Sequence, residues 1–271
     1  MDVSIVIPVF NQCHFTEICL QSLGKHTDDS VEVIVINNGS TDGTGDLIAD
    51  RQDIKVIHNA ANLGCAAAWN QGVRAAGKDW IVLLNNDVIL SPDWLEGLIA
   101  AAEKGPFEII SPANREGEYN YNIEEYSKEF VQKMAGVTRT GTASGICFMV
   151  KRSVFDTIGY FDEHFRIGQF EDKDFFKRAL MAGFRLGITG KSLIHHFGSV
   201  TQNDIRKSRT AGRYEDDNRN YYRRKWKLNR IKRFLSRHNA KLRAFRWRTK
   251  ERFLYGHTLN EVWNGKGLTY Y

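Results

Sequence analysis

Cysteine is scarce in this chain. Four stand among 271 residues, Cys13, Cys19, Cys65 and Cys147, and no two have C-x-x-C spacing. A disulfide framework is therefore not expected, and the thiols read as buried and free, in keeping with a reducing cytoplasm. No apolar run approaches about 18 residues, so no membrane span is expected. The chain passes from Met1 straight into strand-like sequence, without a basic stretch and a cleavable apolar segment, so no signal peptide is expected either. After the first apolar run comes Phe10-Asn-Gln-Cys-His14, neither G-x-G-x-x-G nor a Gly- and Arg-rich phosphate loop. That argues against a dinucleotide-dependent oxidoreductase and against a sugar nucleotidyltransferase. There is no internal repeat.

The 42% apolar content over this length can bury one large domain, or one domain with an appendage. The formal charge of +6 conceals a division: Arg206 to Arg252 carries 19 Lys/Arg against four Asp/Glu, which leaves the remainder acidic by nine charges. Two zones follow, a catalytic-type domain over 1–205 and a basic, aromatic helical extension over 206–271.

Val3-Ser-Ile-Val-Ile-Pro-Val9 is a β-branched run ended by a turn, and Phe15 to Leu23 has helical apolar spacing. Val31 to Ile36 repeats the strand pattern, and Asn37 to Gly43 supplies a turn with capping residues before a helix over Asp46 to Arg51. Ile54 to Ile57 is a third short strand, followed by an Ala-rich helix through Ala76. Trp80 to Leu84 is nearly all apolar, as a parallel strand covered on both faces should be. Alternating strands and helices predict a doubly wound α/β fold with a mostly parallel central sheet. Beyond Pro106, Asn114 to Val137 reads as a polar, Tyr-rich loop or irregular helix over the site. Ala143 to Val150 is strand-like, Glu171 to Ala182 helical, and Arg185 to Phe197 one or two strands. Amphipathic helices are expected from Arg209 onward.

Three polar clusters mark the predicted ligand edge: Asn85-Asn86-Asp87, Glu171-Asp172 and His195-His196. Open α/β sheets bind ligands at such strand ends. A carboxylate to hold a divalent metal, a carboxylate to take a proton and a late imidazole together suggest group transfer from a phosphorylated donor. Each has a plainer reading as well: turn or cap for Asp87, helix N-terminal acids for Glu171 and Asp172, and a structural histidine. Extended backbone turns His195 and His196 to opposite faces, so at most one meets the metal.

In order and spacing, seven segments resemble the family 2 glycosyltransferases of the GT-A fold, a Rossmann-like, mostly parallel sheet flanked by helices. They are Ser4-Ile-Val-Ile-Pro-Val-Phe-Asn11, Val35-Ile-Asn-Asn-Gly-Ser-Thr-Asp42, Asn62-Leu-Gly64 with Asn70-Gln-Gly72, Leu83-Leu-Asn-Asn-Asp-Val88 with Ser91-Pro-Asp-Trp94, Gly159-Tyr-Phe-Asp-Glu163, Phe170-Glu-Asp-Lys-Asp-Phe175 and His195-His-Phe-Gly-Ser199. The resemblance spans about residues 3 to 201. It implies that Pro8, Val9 and Phe10 line a nucleoside pocket together with Asn37, Asn38, Gly39, Asn62 and Gly64. Asn37 or Asn38 stands where the family usually has a base-reading Asp, and an amide oxygen can also accept an imide proton. Asn85-Asn86-Asp87 resembles the metal-binding D-x-D motif with its first Asp replaced. Asp87 is then the carboxylate for Mg2+ or Mn2+, while Asn85 and Asn86 position the sugar or the turn. The late H-x-G pattern fits His196-Phe197-Gly198 and makes His196 a second ligand, which tilts the choice toward Mn2+. Glu171-Asp172 resembles the acceptor-site acidic pair, with Asp172 as base, Glu171 orienting the acceptor and Asp174 on the helix surface.

The resemblance implies an inverting enzyme that moves a sugar from a nucleotide-diphosphate donor, of UDP or dTDP type, to a hydroxyl of a glycan or lipid-linked glycan. Sugar, base, acceptor, linkage and oligomeric state stay open. The basic segment admits three readings: a helix packed on the acidic domain, a peripheral contact with anionic membrane at its inner face, or, least favoured, nucleic-acid binding. The rival to an enzyme is an anionic-membrane or nucleic-acid binding module that uses this segment on an inactive sheet.

Overall fold

The computed structural model describes residues 1–198, 200, 201, 205 and 214–270. The expected junction at 205–206 and the first basic residues, 206–213, thus fall largely outside the described residues. In chain order the elements are β1 (Val3–Val9), α1 (Cys13–His26), β2 (Glu32–Asn37), α2 (Thr44–Ala49), β3 (Lys55–His58), α3 (Cys65–Ala75), β4 (Trp80–Leu84), β5 (Val88–Leu90) and α4 (Trp94–Lys104). β6 (Ile109–Glu116), α5 (Ile123–Met134), β7 (Thr138–Thr140), β8 (Cys147–Lys151), α6 (Arg152–Ile158), α7 (Glu171–Met181) and β9 (Leu186–His196) follow. After residue 213 come α8 (Tyr214–Lys225), α9 (Arg230–Tyr255), β10 (Asn260–Trp263) and β11 (Leu268–Tyr270).

One mixed sheet runs β11-β10-β6-β8-β4-β1-β2-β3, with β9 paired to β5, β6 and β7. The run β4-β1-β2-β3 is parallel, and β8 enters antiparallel between β4 and β6. Strand periodicity divides the core in two. Ile5, Ile7 and Val9 face α1 and α4, meeting Leu20, Leu23, Trp94 and Leu98, whereas Val6, Ile34, Ile36, Ile81 and Leu83 face α3, α6 and α7. The second layer is close-fitting: a Cβ on Gly72 of α3 would lie 2.1 Å from Val6 Cγ1. The Asn70-Gln-Gly72 segment also holds the chain ahead of α7, since Asn70 donates to Phe161 O at 2.9 Å and accepts from Phe161 N at 2.9 Å.

The stretch expected to be loop or irregular helix over Asn114 to Val137 is ordered differently. Its start is the end of β6, and most of the rest is α5, a regular amphipathic helix whose buried Ile123, Ser127, Phe130 and Met134 recur at helical spacing. Asn122 caps it by accepting from the Glu124 and Glu125 amides, a contact worth about 1 kcal/mol. The 143–146 stretch, read as strand, is loop, and β8 begins only at Cys147. Arg185 to Phe197 forms one strand with a bulge, for the β6 register jumps from Pro112↔Thr189 to Ala113↔Leu193.

The extension is not helical to its end. β10 adds parallel to β6 at Asn114–Glu116, and β11 pairs back onto β10. Arg139 of β7 and Glu251 of α9, both buried, join through two bonds of 2.8 and 2.6 Å, and Glu251 also accepts from Leu259 N. Breaking such a pair from one side costs about 3–5 kcal/mol. Among the described residues no helix is long and apolar enough to cross a membrane.

Candidate active site

The ends of β1 and β4, the 143–146 loop, the start of α7 and the end of β9 surround a cleft of about 320 Å3. Asp87 leaves β4 through the Asn85-Asn86 turn, where Asn85 N donates to Ile146 O and Asn86 Nδ2 is committed to Thr16 Oγ1 at 2.8 Å. The buried Asp87 lies with Oδ1 3.5 Å from His196 Nε2, and Oδ2 accepts from Val200 N at 3.4 Å. On the other edge of the ring, His196 Nδ1 is 3.5 Å from Glu116 Oε2, so the imidazole sits between two carboxylates. They raise its pKa to about 9 against the opposing effect of burial, and the imidazole in turn lowers both of theirs. His195 points the other way, into Tyr119, Tyr121 and Phe197, with Tyr121 Oη 3.1 Å from its Nδ1. Burial there pulls its pKa down to about 4, so it is neutral at pH 7 and stands outside the cleft lining.

Among the described residues no three His, Cys, Asp or Glu side chains gather tightly enough to hold a metal unaided. Asp87 Oδ1 and His196 Nε2, the latter once a cation displaces its proton, nonetheless form a two-donor corner that opens into the cleft. Hard divalent cations bound with substrate phosphates take one or two protein ligands and complete their shell from phosphate and water. The residues present therefore fit a divalent ion.

Glu171 and Asp172 begin α7, and both line the cleft. Glu171 is buried, and among the described residues its Oε2 has no hydrogen-bond partner. Burial first, and the neighbouring Asp172 second, push its pKa up to about 8, while burial raises Asp172 as well. The 145 position must be glycine for Asp172 to stand here, because a Cβ would lie 2.4 Å from Asp172 Oδ2. Glu171 binds an extra proton in the folded state between its ordinary 4.5 and about 8, so its contribution to stability falls as pH rises through that window. The contribution of His196, present below 6.5, is lost toward about pH 9. Glu171→Gln should therefore leave a protein more stable than the wild type at pH 8 and little changed near pH 5 in urea melts. Parallel pH profiles for the two proteins would refute the assignment.

Asp174 was expected on the helix surface and is instead fully buried. It accepts from Arg178 Nε, Lys225 Nζ and Trp226 Nε1, each at 2.9 Å, so it fastens the end of α8 to α7. The partners that decide its burial lie about 50 residues on in the sequence.

Pro8, Val9, Phe10, Asn38 and Asn62 also line the cleft, whereas Asn37, Gly39 and Gly64 do not. The Asn37 amide lies beside His58 and accepts from Ser40 N. Asn38 spends both ends of its amide internally: it donates to Asn62 Oδ1 and Gly64 O, and it accepts from Asn59 Nδ2 and Leu63 N. Its oxygen is saturated and cannot also accept an imide proton from a base.

Sequence reasoning missed the loop that carries the acidic pair into place. Ile167, Gln169 and Phe170 all have φ between 62° and 77°, strain worth about 1–3 kcal/mol per residue. Asn218 of α8 holds it, donating to the carbonyls of Arg166, Gly168 and Gln169 and accepting from Arg166 N. Cys65 N donates to Ile167 O from the other side. Asn218→Ala should destabilise the fold by about 3 kcal/mol, through lost bonds and orphaned carbonyls, and should lower turnover through Glu171-Asp172. A thermal melt indistinguishable from wild type would show that the loop holds itself.

The glycosyl transferase family 2 model matches residues 4–171, and the chain belongs to that family. It is 25% identical over 224 residues to the N-acetylglucosaminyl-diphospho-decaprenol L-rhamnosyltransferase of Mycobacterium tuberculosis, spanning 68% of this chain and 73% of that one. The first curated relatives are matched over only 30–44% of their own length. Among solved structures, Staphylococcus aureus TarS 1-349 in complex with UDP-GlcNAc superposes with a TM-score of 0.57 at 17% identity, over 72% of this chain and 58% of that one. The mannosyltransferase PcManGT of Pyrobaculum calidifontis, in complex with GDP-Man and Mn2+, gives 0.57 at 18% identity, over 76% and 61%. The fold is GT-A.

Proposed function

We propose that this enzyme transfers a sugar, with inversion, from a nucleotide-diphosphate donor of UDP or dTDP type to a hydroxyl of a glycan or lipid-linked glycan. The observation that carries the reading is convergence: Asp87, His196, Glu171 and Asp172 meet in one cleft that Pro8, Val9 and Phe10 also line. Asp172 removes the proton as the acceptor oxygen attacks the anomeric carbon, and the bond from that carbon to the diphosphate breaks. Glu171, neutral at pH 7, keeps the pair at a single charge and can donate a hydrogen bond to the acceptor. Asp87 and His196 would hold Mn2+ or Mg2+, which neutralises charge on the departing diphosphate. Glu116 and the turn amides fix the orientation of that corner. With Asn38 saturated, recognition of the base falls to the Phe10 ring and nearby backbone. The acceptor class is supported by the rhamnosyltransferase relative, whose name specifies a decaprenol-linked acceptor.

Release of nucleoside diphosphate from a panel of UDP-, dTDP- and GDP-sugars, with and without Mn2+, tests the reading. We expect metal-dependent release from a UDP- or dTDP-sugar. Release of equal size without metal would overturn the metal assignment, and release confined to GDP-sugars would overturn the choice of base.

A further inference from the structure

α9 has two unlike sides. Trp247, Glu251 and Tyr255, four residues apart, face the body of the protein: Glu251 pairs with Arg139, whose guanidinium also lies 5.3 Å from the Trp247 ring centroid. On the opposite side, Ile231, Phe234, Leu235, Leu242, Phe245 and Phe253 recur at spacings of three, four, seven and eight, which aligns them in one stripe along a helix. They are exposed, Phe234 to 69% and Phe253 to 87%. From Arg230 to Arg243 every residue is exposed except Arg233, so the first half of this helix stands clear of the core. The helix is well terminated all the same, by Asn229 at its start and by Gly256 in the left-handed region at its end.

Its charge is one-sided. Ten Lys/Arg lie between Arg230 and Tyr255 against one acid, Glu251, which is already consumed by Arg139. Lys241, Arg248 and Arg252 flank the stripe on one side, and Lys232, Arg246 and Lys250 on the other, by helical position. An apolar stripe rimmed by cations matches an interfacial helix lying in the plane of a membrane, with long basic side chains reaching up to lipid headgroups. A second copy of the chain would bring positive rim against positive rim. Nucleic acid would leave Ile231, Leu235 and Leu242 without a partner, since aliphatic side chains do not stack on bases. We infer that α9 docks this chain on an anionic lipid surface through the Ile231–Phe253 stripe and its basic rims. The inference is independent of which sugar or acceptor the cleft takes.

Deleting the segment would not test this cleanly, because α8 brackets the loop before Glu171 and β10 belongs to the sheet. The probe is instead the full chain with Phe234→Gln and Phe245→Gln, two exposed positions remote from the cleft lining. Co-sedimentation is measured with phosphatidylcholine vesicles, pure or with about one third phosphatidylglycerol. The wild type should pellet with the anionic vesicles and not with the neutral ones, and salt should release it as screening shortens the Debye length from about 10 Å toward about 3 Å. The double variant should keep the wild-type circular dichroism spectrum and lose about tenfold or more of its vesicle partitioning. Wild-type protein left in the supernatant, or a double variant that pellets equally well, overturns the proposal. So does light scattering that shows a wild-type dimer split by the two substitutions without vesicle binding, or single-stranded DNA binding that they abolish while vesicles go unbound.

Discussion

Asp87→Ala is expected to abolish the metal-dependent part of nucleotide binding and to lower turnover by about 10²- to 10³-fold or more, the scale seen when one preorganised charge-stabilising group is removed. Asp87 is the carboxylate facing His196 Nε2 across the two-donor corner, and it contributes little to apolar packing. The variant should therefore fold. His196 would keep Glu116 but lose the Asp87 carboxylate, so its raised pKa should fall. Calorimetric titration of a nucleoside diphosphate in Mn2+ checks this, and an unchanged affinity would remove Asp87 from the metal site.

Asp172→Asn addresses the other end of the reaction. Donor affinity should stay within about a factor of two, because base and diphosphate contacts lie elsewhere in the cleft, while transfer falls by about 10²- to 10⁴-fold. The substitution also takes away the charge that helps keep Glu171 protonated, so the pKa of Glu171 should drop. Donor hydrolysis and acceptor transfer need separate assays. Near-normal transfer would move the base role to Glu171. Asp174 is no substitute, because its oxygens are occupied by Arg178, Lys225 and Trp226.

What the sequence made legible follows from range. β1 to β4 and α1 to α3 are local: each strand is a short apolar run and each helix an apolar stripe, so the first half of the sheet could be read directly. The separation of His195 from His196 follows equally from strand geometry. α5 was read as a loop or irregular helix although the signals of a regular one were present, Asn122 as cap and Ile123, Ser127, Phe130 and Met134 on one face, because the surrounding tyrosines and acids obscured them. Other misreadings depend on contacts from far along the chain. Asp174 is buried by residues of the basic extension, the Glu171 loop is held by Asn218, and β10 completes the sheet beside Glu116. In the same way Asn38 looked available to a base until Asn59, Asn62 and Leu63 filled its amide.

The central claim is that the cleft between β1, β4 and α7 binds a nucleoside diphosphate through a metal held at Asp87 and His196. Thermal unfolding of the wild type with UDP, dTDP, GDP and CMP, each with and without Mn2+, tests it most directly. A ligand at about 100 times its Kd stabilises the native state by about 2.7 kcal/mol, which for a chain of this size raises Tm by roughly 5 °C or more. We expect that rise for UDP or dTDP with Mn2+, with a much smaller one when the metal is omitted. Equal shifts with and without metal, or no shift for any nucleotide, would contradict the account.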